Sequence, residues 1–410
     1  MMRRPTSTLL LLLLAVSARG QTFRLSGFLT ARDIYATGQP SWLEGGFGRL
    51  EAGGTAPHEH RTRPFGNAQL GFDWEPSTYF DVHASGVARR EPTGYGGRRA
   101  GIVEAFAEAR TSFGNEQLQV RGGLFFLPTS RENKGELWTS PYTITFSALN
   151  NWIGQEFRPL GAELQWRHGQ TFTLAGTAFR GNDTMGALLG WRGWTLGNRL
   201  TVYDEVLPLP PLFSFKDDKL FGDQRNGTKP IGRDLDGRTG FAGRARYGVA
   251  GKGMIQFARI DNRGDRELYR GEYSWRTKFN LVSGELGSTD AGILAAEWAN
   301  GSTGMGEPPH AWVQADFKTW YVLASSKRGR SRYSTRYDTF STTQREHSAE
   351  TNTEHGHAWT VAYFYDLTQH LRAGVELTSV TGDRIAAAES GFNPDASGRT
   401  VIAELRYSIR

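Results

Sequence analysis

Apolar and polar residues alternate one for one along much of this chain, and a period of two restricts it to strands with two unlike faces. Ala68, Leu70, Phe72 and Trp74 interleave with Asn67, Gln69, Gly71 and Asp73. Leu118, Val120, Gly122 and Leu124 do so with Gln117, Gln119, Arg121 and Gly123, and Ala162, Leu164 and Trp166 with Glu163, Gln165 and Arg167. Successive side chains of a strand point to opposite sides, so each stretch presents one apolar and one polar face. The pattern returns in Val313, Ala315, Phe317, Tyr321 and Leu323, in Tyr333, Thr335 and Tyr337, in Trp359, Val361, Tyr363 and Tyr365, and in Leu371, Ala373, Val375 and Leu377. It closes with Val401, Ala403, Leu405, Tyr407 and Ile409. Helical periodicity is hard to find, while 51 glycines and 12% aromatic residues suit strands joined by turns.

The first residues carry an address. Arg3 and Arg4 precede an apolar run from Leu9 to Val16, and small residues follow at Ser17, Ala18 and Gly20. This is the pattern of a secretory signal peptide over 1–20, cleaved after Gly20 or Ala18. The run falls short of the ~20 apolar residues that a spanning helix needs. No later stretch is longer, which excludes a helical membrane protein. The formal charge of +6 includes Arg3, Arg4 and Arg19 of the leader, so the exported part is nearly balanced. With no basic domain or reading motif, nucleic acid is excluded as a partner. Cysteine is absent, so there is no disulfide framework and no thiolate metal site.

Connections alternate between short and long. Glu75-Pro76-Ser77, Gly114-Asn115, His168-Gly169-Gln170, Gly197-Asn198 and Leu367-Thr368-Gln369 read as tight turns. Longer polar stretches lie near 33–65, 128–159, 205–238, 343–356 and 381–397. Short periplasmic turns and long extracellular loops are the asymmetry of transmembrane β-barrels. The fold expected for 21–410 is therefore all-β, one antiparallel transmembrane barrel of about 16 to 18 strands in the bacterial outer membrane. Trp74, Trp166, Tyr333, Trp359 and Tyr407 suit aromatic girdles at the two interfaces. A soluble sandwich or propeller is disfavoured because no turn motif recurs at a fixed period.

The words Leu127-Pro128-Thr129-Ser130-Arg131-Glu132-Asn133, Leu137-Trp138-Thr139-Ser140-Pro141-Tyr142 and Ser147-Ala148-Leu149-Asn150-Asn151-Trp152-Ile153-Gly154-Gln155-Glu156 are distinctive. So are Phe179-Arg180-Gly181-Asn182-Asp183-Thr184-Met185-Gly186, Arg233-Asp234-Leu235-Asp236-Gly237 and Trp275-Arg276-Thr277-Lys278-Phe279-Asn280. Through them the chain resembles a family of Gram-negative outer-membrane porin-like proteins, more distantly similar to phosphate-selective porins. The resemblance implies a barrel over most of the mature chain and says little about solute.

The stretch 128–159 is long, aromatic and charged, as expected of a loop that folds inward and constricts a pore. Candidate constriction residues are Arg121, Arg131, Glu132, Lys134, Glu136, Glu156, Arg158 and Arg180, with Arg180 counting only if its strand has ended there. Arginines favour anions, whereas Glu163, Glu376 and Asp316 could neutralise them in a structural ladder. His347, Glu350, Glu354, His355 and His357 share one stretch, but a solvated loop explains them better than a metal site. Asp234-Leu235-Asp236-Gly237 lacks the later glutamate of a calcium loop and reads as a turn. No nucleophile elbow, zinc helix or catalytic set stands out, so neither an enzyme nor a cofactor is expected. The function expected is passive diffusion of small hydrophilic solutes, with mild anion selectivity. The alternatives are a closed-lumen adhesin or assembly protein, and an outer-membrane lipase. Expected partners are outer-membrane lipid and lipopolysaccharide and the barrel-assembly machinery, and a homotrimer is compatible with such a barrel.

Overall fold

A computed structural model describes residues 21–55, 59–91, 94–158, 160–219, 221–308, 311–346 and 351–409. The leader assigned to 1–20 lies outside them. The first strands are β1 (Thr22–Ala36), β2 (Arg61–Ser77), β3 (Phe80–Arg90), β4 (Ala100–Phe113), β5 (Glu116–Leu124), β6 (Leu160–His168), β7 (Phe172–Arg180), β8 (Gly240–Val249) and β9 (Gly253–Asp261). A small hairpin, β10 (Leu268–Tyr269) and β11 (Glu272–Tyr273), stands apart in a loop. The wall resumes with β12 (Arg276–Gly287), β13 (Gly292–Gly306), β14 (Trp312–Arg328), β15 (Ser331–Gln344), β16 (Glu354–Asp366), β17 (Leu371–Arg384) and β18 (Gly398–Ile409).

Sixteen of these strands form one closed antiparallel barrel. Each pairs with its neighbours in sequence, and β1 closes on β18 from Gly27 opposite Ile409 to Ala36 opposite Thr400. Closure satisfies every edge, as a hydrocarbon surround demands. Leu29, Phe72, Val120, Leu164, Val361 and Val375 point outward and are exposed, forming the apolar band. No helix among the described residues is long and apolar enough to cross a membrane, so crossing is by strands.

The connections at 78–79, 114–115, 169–171, 250–252, 288–291, 329–330 and 367–370 are short and share one end with both strand termini, β1's first residue and β18's last. The opposite, extracellular end carries the long segments, and these do not stay outside. Described residues of the segments 37–55, 125–158 and 181–219 turn into the barrel, where Trp42, Trp152 and Trp194 are buried. Trp152 meets Trp194 and Phe317 edge-on at 5.5 and 5.0 Å, and Phe157 meets Phe179 at 5.0 Å. Trp42, Leu149, Trp152, Met185, Leu188 and Trp194 are all at most 1% exposed. The centre of the lumen is therefore an apolar core.

That core explains two departures from expectation. Gly197-Asn198, read as a tight turn between strands, belongs to the inward segment: Asn198 Nδ2 donates to the Ile144 carbonyl at 2.7 Å, and no strands flank it. A transmembrane barrel strand ordinarily turns its apolar face to lipid, and in β14 that face is reversed. Val313, Ala315, Phe317, Tyr321 and Leu323 are buried toward the lumen, because the loop core lies there and supplies the apolar partners.

Candidate permeation path

The segment 125–158 is fastened to the wall by buried charge. Glu132 accepts hydrogen bonds from the Ser147 amide and hydroxyl at 2.7 and 2.6 Å and meets Arg336 Nη1 of β15 at 3.1 Å. Arg336 also donates to the carbonyls of Thr145 and Phe146, and its Nε meets Asp338 at 2.9 Å. Glu376 of β17 receives the Ile144 amide at 2.5 Å and the Thr145 hydroxyl at 2.7 Å. Glu297 of β13 receives the Arg131 amide at 2.9 Å, the Asn150 side chain at 2.7 Å and the Tyr321 hydroxyl. Wall carboxylates thus accept loop N–H and O–H groups that would otherwise be buried unpaired.

The residues proposed for a constriction are dispersed by this arrangement. Glu132, Glu156 and Arg158 have no exposure, and Arg131 only 7%. Burial pushes the Glu156 carboxyl up to about 7, against the opposing pull of Arg192 and Arg158. Burial likewise lowers the Arg158 guanidinium to about 10, where it donates to the carbonyls of Val103 and Thr201. Lys134 pairs with Glu285, and its ammonium is lowered by burial. Arg121 points inward but pairs with Glu108 at 3.0 Å and stacks over Phe106. Glu136 opens a short helical turn, Glu136–Trp138, beside the periplasmic mouth. Arg180 is the last residue of β7 and holds the outward parity, so it does not reach the lumen.

Small cavities of about 30, 10 and 190 Å³, from the upper to the lower, survive along one wall. Three cavities follow one another on the β1, β2, β17 and β18 side. The upper one touches Arg32, Asn67, Arg89, Glu91 and Arg199. The middle one shares Arg32, Asn67, Gln69, Asn198 and Leu200 with it. The lower one shares Phe28, Thr139, Ser140 and Arg406 with the middle and ends at the periplasmic turn Thr368-Gln369. A separate periplasmic opening is bordered by Arg167, Arg246 and Glu285.

Arginines line this path. Three of them converge on the single buried carboxylate of Glu404: Arg32 at 2.8 Å, Arg372 at 3.2 Å and Arg406 at 3.3 Å. The β1–β18 register sets Arg32 opposite Glu404 and Thr30 opposite Arg406, and the β17–β18 register sets Arg372 opposite Arg406. The guanidinium groups therefore cluster at two adjacent levels of the wall around Glu404. Aromatic faces brace them: Arg406 lies 4.4 Å from the Phe28 ring centre and Arg372 4.0 Å from that of Phe364. One carboxylate against three guanidinium groups leaves an excess of positive charge. Beside the upper cavity the buried Arg199 is balanced by Glu91 at 2.5 Å and Glu205 at 2.6 Å.

Arg32, Arg199 and Arg406 are not among the candidates that the sequence singles out. For Arg406 the signal was present: Thr400, Ile402, Glu404 and Arg406 interleave with the outward Val401, Ala403, Leu405 and Tyr407. The histidines weighed against a metal site are not brought together among the described residues. His347 and Glu350 lie outside them, while His355 and His357 point outward from β16 and Glu354 points inward to Arg49 at 2.9 Å. In the Asp234-Leu235-Asp236-Gly237 turn, one oxygen each of Asp183, Asp234 and Asp236 falls within 4.8 Å of the others.

No protein-family model and no curated protein matches this sequence. Solved structures do match its fold. The outer-membrane channel DcaP of Acinetobacter baumannii superposes with a TM-score of 0.58 at 12% identity, over 96% of this chain and 99% of that one. OmpT, an outer-membrane protein of Vibrio cholerae, gives 0.54 at 8% identity over 96% and 99%. An anion-selective porin from Comamonas acidovorans gives 0.53 at 9% identity over 95% and 100%. The chain has the fold of the bacterial outer-membrane porins, a closed transmembrane β-barrel.

Proposed function

We propose that the protein sits in the outer membrane and passes small hydrophilic anions down their gradient, along the arginine-lined wall and not through the centre of the barrel. The observation that carries this reading is the cluster of Arg32, Arg406 and Arg372 on one carboxylate, set beside small cavities that share lining residues along that wall. In a narrow passage, fixed charges within a Debye length of about 8 Å act directly on a solute. Guanidinium groups replace part of the hydration of a carboxylate or phosphate, which favours anions. Passage needs neither a nucleotide nor a cofactor.

Planar-bilayer recording under a KCl gradient tests this reading. The expected result is a small unitary conductance with a reversal potential on the anion side; cation selectivity would overturn it. The packed centre favours one second reading, a closed barrel acting as an adhesin or assembly partner through its loops. Correctly folded protein without conductance would support that alternative.

A further inference from the structure

The outer wall is not apolar throughout. Toward the extracellular ends of β9, β12, β13 and β14 the alternation is reversed: Ile260, Phe279, Ala299 and Phe317 are buried toward the loop core. Their neighbours in sequence consequently face the bilayer side. Register places Arg259 beside Asn280, Asn280 beside Asn300, and Asn300 beside Lys318, a polar row across four strands, with Lys278 one outward position above Asn280. Arg259, Lys278 and Lys318 are exposed and border one shallow groove with Trp298.

These three cations have no ion pair among the described residues. The carboxylates nearby are already taken, Asp261 by Arg276 at 3.0 Å and Asp316 by Arg345 at 2.5 Å. Arg259 is merely held in place, its Nη1 donating to Asn280 Oδ1 at 2.7 Å. Height on the wall identifies what meets them. Trp298 pairs with Trp320 across β13 and β14, Trp320 contacts Tyr337 at 5.6 Å, and Tyr337 contacts Trp359 at 4.6 Å, a girdle of aromatic rings. Such a girdle marks the edge of the hydrocarbon layer. Asn300 and Lys318 stand two residues beyond that pair toward the extracellular end, about 7 Å along the strands. Cations facing outward at that level stand among lipid headgroups, where an anion is the complementary partner.

We propose that this groove binds the phosphate groups of an anionic lipid of the outer leaflet, the phosphorylated lipid A portion of lipopolysaccharide. Arg259 and Lys278 take one side of the headgroup and Lys318 the other, while Trp298 and Trp320 cover the start of the acyl chains. The assignment needs the barrel to span the outer membrane and is independent of what passes through it.

The test uses the folded full chain in detergent, titrated with bisphosphorylated lipid A, with the same lipid after dephosphorylation, and with inorganic phosphate, binding being read by native mass spectrometry. Wild-type protein is expected to bind the bisphosphorylated lipid at least about tenfold more tightly than the dephosphorylated one. The R259Q/K278Q/K318Q variant is expected to lose about that factor, and K318Q alone a few-fold, which covers the case of a triple variant that fails to fold. Heat-modifiable mobility and unchanged single-channel conductance establish folding. Undiminished binding by the variants, equal binding of the dephosphorylated lipid, or saturation of the effect by inorganic phosphate would overturn the assignment. So would a change of subunit number in the variants without loss of lipid, since the cations would then be subunit contacts.

Discussion

Glu404 shows how one buried carboxylate can organise a charged wall. It holds Arg32, Arg372 and Arg406 in fixed positions, and the charge left over is positive. Replacing Arg32 and Arg406 together by Gln leaves Arg372 and Glu404 as a balanced pair. Reversal-potential recordings of R32Q/R406Q are therefore expected to show anion selectivity lost or inverted; an unchanged potential would place the selecting charges elsewhere. Asp183 supports a second prediction. Burial drives its carboxyl up to about 7, although the amides of Leu235 and Asp236 donate to it. A carboxyl with a raised value in the folded state binds its proton more tightly there than in the unfolded chain. Its contribution to stability is thus full below about pH 4, declines as pH rises toward 7, and is flat above that. Thermal unfolding at pH 5 and pH 8 should differ less in D183N than in the wild type, by at least about 3 °C. Equal pH dependence in the two proteins would remove Asp183 as the cause.

The segment 125–158 and strand β14 illustrate what is readable in single elements and what is not. The sequence marks 128–159 as an inward loop by its length, charge and aromatic content, and described residues of that stretch bond to Arg336, Glu376 and Glu297 of the wall. Its charged residues, however, were read as facing solute, whereas Glu132 and Arg158 are spent on the wall and on neighbouring backbone. Which way a loop charge points depends on Arg336 and Glu376, more than 200 residues away in sequence. In β14 the period was legible and the face was not, since either face of an alternating strand can be the apolar one toward a core. Arg336 ties these elements together. Arg336→Met leaves Glu132 and Asp338 buried without their cation, at a cost of about 3–5 kcal/mol. Urea unfolding in detergent should register that loss, and a change below about 1 kcal/mol would show that the latch is incidental.

At the scale of the whole molecule, a strict period of two, short turns at one end and long segments at the other define a closed barrel with little ambiguity. Val361, Val375 and Leu405 face outward as their alternation requires. The interior is a long-range outcome: Trp152 meets Phe317, and Trp194 lies 6.3 Å from Phe340, through packing that no local pattern encodes. For that reason the path along β1 and β18 could not be traced from the sequence, although the parity of Arg406 was there to be read. The account stands on where solute moves, and the absence of cysteine makes this directly measurable. Asn67 of β2 borders both the upper and the middle cavity, whereas Ala358 of β16 faces the packed centre with no exposure. Single-channel current is recorded before and after a charged methanethiosulfonate reagent is added to N67C, to A358C and to the wild type. The account predicts a lasting fall in current for N67C alone. Block at A358C with none at N67C would contradict it.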